Sequence, residues 1–198
     1  MRPEGLRYGC LAAGPGLAYH QQTITGNGVP ERAEFNAIVD RFAERVYNHA
    51  LRMLNNREDA EEAMQDVFLR VHRSFGTFRG DAEFSTWLWR ITVNVCLSRR
   101  GSRWKRRERI QVERISDDIP DDAPGPDELL SRREERRRIA VLIARLPGRE
   151  AAALTLYYME ELDYATIGRI LRIPPGSVAT ALHRGRERLG KMLRAERE

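Results

Sequence analysis

The chain has 198 residues, with 34 Lys plus Arg against 29 Asp plus Glu and a net charge of +5, enough length for one helical domain or two small ones and a balance that suits a polyanionic partner. Cys10 and Cys96 are far apart, and His20, His49, His72 and His183 stand at no metal-ligand spacing, so the sequence predicts no disulfide framework, metal site, cofactor or small-molecule substrate and no catalytic centre. No apolar run approaches the roughly 18 residues of a membrane span, and LAAGPGLA near the start is too short and too broken by Gly and Pro for a secretory core, which points to a cytoplasmic protein without membrane contact.

Residues 1–30 carry six glycines and three prolines with no apolar periodicity, the composition of a disordered or loose arm. From Glu31 to Leu54 the apolar positions Phe35, Ile38, Val39, Phe42, Val46, Tyr47, Ala50, Leu51 and Leu54 step by three and four, which predicts a long amphipathic helix. Asn55-Asn56 interrupts it, and Asn56 is placed to cap a second helix whose start is rich in Glu and Asp, against the positive end of the dipole. There Ala60, Ala63, Met64, Val67, Phe68 and Val71 are expected to face inward, leaving Glu61, Glu62, Gln65 and Asp66 outside.

The next stretch, FRGDAEFSTWLWRITVNVCLSRR from Phe78 to Arg100, reads as a Gly-Asp turn, an aromatic-rich helix and paired arginines. Phe84, Trp87, Leu88, Ile91 and Val95 form an apolar stripe, while Phe78, Trp89 and Asn94 fall in the turn or off it. Exposed aromatics can stack on unpaired bases, an amide can read a base edge, and arginines can neutralise phosphates; Trp87, being on the stripe, reads first as core. Cys96 is expected to be a small core residue. The basic run Arg99, Arg100, Arg103, Lys105, Arg106, Arg107 and Arg109 suits phosphate contact. SDDIPDDAPGPDELLS, residues 116–131, then brings six acids and three prolines without a base, an extended linker and a domain boundary.

A charged helix from Arg132 to Arg145 opens the second domain, with Ile139, Leu142, Ile143 and Leu146 inward. The short helix of REAAALTLYYME follows. Leu162 to Leu171 forms the first helix of a helix-turn-helix, IPPG the turn, and Ser177 is placed to cap a final helix running to about Arg194. Val178, Leu182, Leu189 and Leu193 bury one side of it; the other offers Thr180, His183, Arg184 and Arg186 to a major groove.

Several motifs in one order carry a resemblance: DAEEAMQDVFLRVHRSF at 59–75, the FRGD turn at 78–81, TWL at 86–88, VN at 93–94 and LHRGRERL at 182–189. Over roughly Glu34 to Arg194 the chain resembles the extracytoplasmic-function sigma factors, two-domain bacterial transcription initiation factors. The resemblance implies an all-α fold of two small helical domains, a sigma-two bundle over 31–110 and a sigma-four helix-turn-helix domain over 132–198, joined by a flexible linker over 111–131. It further implies that the acidic helix docks on core RNA polymerase through Glu62, Gln65 and Asp66. Phe78 and Asn94 would hold a flipped base of the −10 promoter element, supported by Trp87 and Trp89, with Arg99 and Arg100 on the backbone; Ser177, Thr180, His183, Arg184 and Arg186 would meet the −35 element. Promoter DNA, duplex and unpaired, is the implied partner besides polymerase, and an anti-sigma factor accords with family habit.

Two rival readings remain open on the residues alone: a stand-alone helix-turn-helix regulator, and an adaptor that binds polymerase or an anti-sigma factor without directing transcription. One departure from the family stands out, since Ala179 and Ala181 occupy positions where related recognition helices commonly carry cations. Gly185, within the same helix, is expected to weaken it.

Overall fold

The computed structural model describes residues 32–78, 83–109 and 138–196; for Arg32 and residues 103–109 it describes the backbone alone. The expected N-terminal arm, residues 79–82 of the Gly-Asp turn, the side chains of the basic run beyond Ser102, the acidic linker and the first part of the helix expected from Arg132 lie outside the described residues.

Among the described residues the chain is all helical, with no strand. Helix α1 spans Arg32–Leu54 and ends at Asn55, whose φ of 49° is the left-handed conformation that Asn tolerates at helix ends. Helix α2 spans Arg57–Ser74, and the Asn56 side chain caps it by accepting from the Asp59 backbone N–H at 2.8 Å. A single 3₁₀ turn, Phe75–Thr77, leads to Phe78 and then to α3, Phe84–Arg109. Residues 138–145 form α4. Helices α5, Gly148–Tyr158, α6, Tyr164–Leu171, and α7, Pro175–Ala195, complete the fold.

Helices α1, α2 and α3 pack mutually, as do α5, α6 and α7. The two sets also touch: α3 packs on α5 and α6, and α1 on α5, so one apolar cluster runs without a break from Ile38 to Leu182. Contact from both sides widens the buried face of α3 beyond a single stripe. Thr86, Leu88, Trp89, Thr92, Val93, Val95 and Cys96 are all buried, whereas Trp87 and Ile91 on the expected stripe are only half-buried. Trp89, expected off the stripe, is therefore corrected to a core position at 1 % exposure, its ring 5.1 Å from that of His49.

Two local expectations change in the C-terminal half. Ser177 is not the cap of α7: the cap position is Pro174 and the helix begins at Pro175, whose fixed φ is pre-organised for a first helical turn. Gly185 is not a mere weak point. It is buried where α7 crosses α5, and a Cβ there would stand 2.9 Å from Leu154 Cδ1, so the missing side chain is what lets the two helices approach. Glycine is required again at Gly168, where a Cβ would meet the Ile173 carbonyl oxygen at 2.8 Å in the turn between α6 and α7.

Candidate nucleic-acid interface

The 3₁₀ turn and the first turn of α3 bring three aromatics together. Phe78 lies edge-on to Phe84 with ring centres 5.6 Å apart and 5.3 Å from Trp87, and Phe84 is 5.5 Å from Trp87. Phe84 is buried and also meets Phe42 and Phe75, so it acts as a pedestal beneath the half-exposed Phe78 and Trp87. Asn94 is exposed, seven residues after Trp87; that spacing returns it to nearly the same helix face about 10 Å further along. Half-exposed rings and a solvated amide thus share one side of α3.

The remaining residues expected on this interface are otherwise engaged. Trp89 is sealed between His49 and the Arg45 guanidinium, which stands 5.4 Å from its ring centre. Arg99 reaches across to α2 and pairs with Glu62 at 2.7 Å and Asp66 at 2.5 Å. Burial works against its charge, but the two carboxylates prevail and hold its pKa above the ordinary arginine value. Arg100 donates to the Met53 and Leu146 carbonyl oxygens, satisfying unpaired acceptors at the ends of α1 and α4. In this arrangement neither arginine is spare for a phosphate.

On α2, Glu62 and Gln65 are exposed and Asp66 is half-buried. Leu69, 53 % exposed, belongs to the same side, since 62, 65, 66 and 69 recur by three and four. Sequence reading missed it, although an apolar residue on the acidic side of an amphipathic helix is visible from the periodicity alone.

In α7, Ser177, Thr180, His183, Arg184 and Arg186 are all exposed. At about 100° per residue, Ser177, Thr180 and Arg184 share a face with His183 on its flank, whereas Arg186 falls half a turn from Ser177. The Thr180 hydroxyl donates to the Gly176 carbonyl oxygen at 3.1 Å, leaving its lone pairs free. Ala181 packs against the core, so it is not an outward position lacking its cation; Ala179 is half-buried. The helix before the turn is well defined, with Asp163 accepting from the Thr166 N–H at 2.7 Å as its cap.

Other contacts that the sequence did not reveal join the two halves. Arg45 of α1 pairs at 2.6 Å with Glu160, whose side chain is 6 % exposed; burial holds that carboxyl's pKa above the ordinary value, and the Arg45 charge counters it only in part. Arg90 of α3 donates to the Arg169 carbonyl oxygen near the end of α6 at 3.1 Å. The N-terminus of α5 comes so near α3 that a Cβ on Gly148 would lie 2.7 Å from Leu97 Cδ2. Among the described residues no group of His, Cys, Asp and Glu is arranged to hold a metal ion, and no helix is long and apolar enough to cross a membrane.

Two helical sets, the second ending in a helix-turn-helix and the first presenting aromatics with an amide, have counterparts among known proteins. Residues 38–106 match the family described as Sigma-70 region 2, and residues 136–189 match Sigma-70, region 4. The chain is 34% identical over 166 residues to the ECF RNA polymerase sigma factor SigW of Bacillus subtilis (strain 168), covering 81% of this chain and 89% of that one. It is 33% identical over 158 residues to the ECF RNA polymerase sigma factor SigE of Mycolicibacterium smegmatis, covering 78% and 60%. In fold it is similar to the sigma factor RpoE of Bartonella quintana, solved in complex with the anti-sigma factor NepR, with a TM-score of 0.65, 18% identity and coverage of 81% and 96%. The chain belongs to the extracytoplasmic-function group of the sigma-70 family and is a transcription initiation factor.

Proposed function

We propose that the chain docks on core RNA polymerase through α2, opens the −10 element with the exposed side of α3 and places the α7 face on the −35 element. The sharing of one α3 face by Trp87 and Asn94, with Phe78 against Trp87 over the Phe84 pedestal, carries this reading. Stacking on such rings contributes roughly 1–3 kcal/mol per base, comparable to the few kcal/mol that extruding a base costs. Asn94 would read the edge of the extruded base. Glu62, Gln65 and Asp66 supply charge and hydrogen bonds to polymerase, with Leu69 as the apolar anchor among them. Residues 31–110 and 132–198 are read as the two working domains, with 111–131 joining them. The protein catalyses no reaction itself and acts in the cytoplasm, where polymerase is.

Both DNA elements cannot be served in the closed arrangement described above. Elements centred at −10 and −35 are about 25 base pairs apart, about 85 Å at about 3.4 Å per pair. Arg90 is bonded to Arg169, and the eight residues from there to Ser177 span at most about 30 Å. The halves therefore part on the promoter, and a partner that holds them together would act as an anti-sigma factor.

The test is transcription reconstituted from core polymerase, promoter DNA and the purified chain. Promoter-specific transcripts that Asn94→Ala reduces, with blurred preference at one −10 position and unchanged polymerase affinity, are expected. Loss of the fold in Asn94→Ala would make the amide structural and overturn its base-reading role. No promoter-specific transcript from the wild type would leave a stand-alone regulator or an adaptor.

A further inference from the structure

Arg99 sits on α3 five residues past Asn94, yet its guanidinium is spent on the two acids through which α2 is proposed to meet polymerase. One fork holds both: Nη1 on Glu62 at 2.7 Å and Nη2 on Asp66 at 2.5 Å, four residues apart and so stacked one turn above the other. The acids face outward, with 64% and 42% of their side chains exposed, while Arg99 lies behind them at 25%. An incoming cation thus meets carboxylates whose charge is already compensated. The Arg99 Nε is buried without a hydrogen-bond partner among the described residues, so its resting place leaves one donor unsatisfied. Glu61, the neighbouring acid, is engaged separately by Arg57 at 3.0 Å.

We infer that Arg99 is an internal competitor for the docking face: it holds Glu62 and Asp66 until basic groups of core polymerase take them, and docking then releases it for the DNA backbone. The inference rests on the reading of Glu62 and Asp66 as polymerase contacts and adds the coupling between polymerase and DNA. Coupling of this kind is reciprocal: whatever docking does for DNA contact through Arg99, DNA does for docking. It also predicts a direction that a structural salt bridge does not. Removing a positioning arginine weakens docking, whereas removing a competitor strengthens it.

The experiment is a fluorescence titration of labelled full-length chain with core RNA polymerase at two salt concentrations, for wild type, Arg99→Gln and Asp66→Asn, with thermal melting of each. Arg99→Gln is expected to bind core about three- to tenfold tighter at low salt, the scale of two exposed ion pairs, with the gain shrinking as salt screens the wild-type bridges. A single-stranded oligonucleotide bearing the −10 element should raise core affinity more for wild type than for this variant. Equal or weaker core binding by a folded Arg99→Gln overturns the inference. Should that variant not fold, Arg99→Lys, which keeps the charge but not the fork, carries the same test, with tighter binding expected and equal or weaker binding overturning it. Failure of the underlying reading looks different: Asp66→Asn would then leave core affinity unchanged, whatever Arg99→Gln does.

Discussion

Helix α3 and helix α7 are both proposed to meet DNA, and they are built on opposite plans. Packed by α1 and α2 on one side and by α5 and α6 on another, α3 has so much of its circumference buried that its interface is the strip left over. In α7 only Val178, Leu182 and Gly185 are fully buried, and most other positions are exposed. The first helix therefore couples DNA contact to the stability of the fold; the second keeps the two separable. Substitutions on the buried side of α3 should cost the fold and DNA contact with it, while those at exposed positions of α7 should change affinity alone.

The sharpest way to break this contrast is at Trp89. Its ring is enclosed by His49 and Arg45, and truncation of such a side chain costs about 3–5 kcal/mol. Trp89→Ala should therefore unfold at much lower denaturant than wild type, whereas Asn94→Ala, five residues on but exposed, should stay within about 0.5 kcal/mol. A mild Trp89→Ala would mean that the buried side of α3 is looser than its packing indicates.

His49 offers the next largest effect. Burial, with a smaller contribution from the Arg52 charge, lowers its pKa to about 3, and neither ring nitrogen has a hydrogen-bond partner among the described residues. A histidine pKa depressed on folding contributes stability that is complete above the unfolded value near 6.5 and is lost as pH falls toward the folded one, because the unfolded chain then binds the extra proton. From pH 7 to pH 5 the fold should lose about 2 kcal/mol through this group. Urea titrations at the two pH values check it; His49→Gln should flatten the dependence, and an undiminished slope in that variant would assign it elsewhere.

How far the sequence could be read follows the same contrast. Helix α2, with one buried side, and α1 up to its last turn are written in the three-and-four spacing, and the Asn56 cap follows from the residue type next to an acidic first turn. For α3 the periodicity identified a helix but not its extent of burial, because α6 and α5 come from the distant half of the chain. Trp89 owes its burial to His49 and Arg45 of α1, 40 and 44 residues earlier, and no local spacing marks that contact. Leu69 was legible and passed over. The partners of Arg99 and Arg100, 33 to 47 residues away, have no local signal at all, and neither does the glycine-mediated crossing at Gly185.

That crossing gives a smaller effect. Gly185→Ala gains roughly 0.5–1 kcal/mol of helix propensity, but the new methyl meets Leu154 at 2.9 Å in a buried contact, and overpacking costs about 1–3 kcal/mol. The net expectation is a loss of about 1 kcal/mol in denaturant titration, with DNA contact by the exposed face unchanged at temperatures where the variant is folded. A stabilised variant would show that α5 and α7 can move apart freely, and would weaken the claim that only three positions anchor α7.

The smallest effect is expected at the recognition face itself. Ala179 and Ala181 occupy positions where a cation is common in related helices, but they are not equivalent: Ala181 packs on the core, so Ala181→Arg should cost stability without a gain in DNA affinity. Ala179, half-buried, adjoins Thr180 in sequence and lies one turn from His183, and a lysine stem can lie along the surface there with its ammonium in solvent. One added phosphate contact steepens the dependence of log affinity on log salt by about one. Ala179→Lys should therefore bind upstream duplex DNA more tightly at low salt, with the same melting temperature and a steeper slope, whatever the DNA sequence. Filter binding to the −35 element and to a scrambled duplex decides the point. If the gain appears on both, Ala179 is a missing backbone contact; if wild type discriminates between them and the lysine variant does not, the alanine methyl itself reads the element, and α7 specifies sequence with fewer polar groups than its exposed face offers.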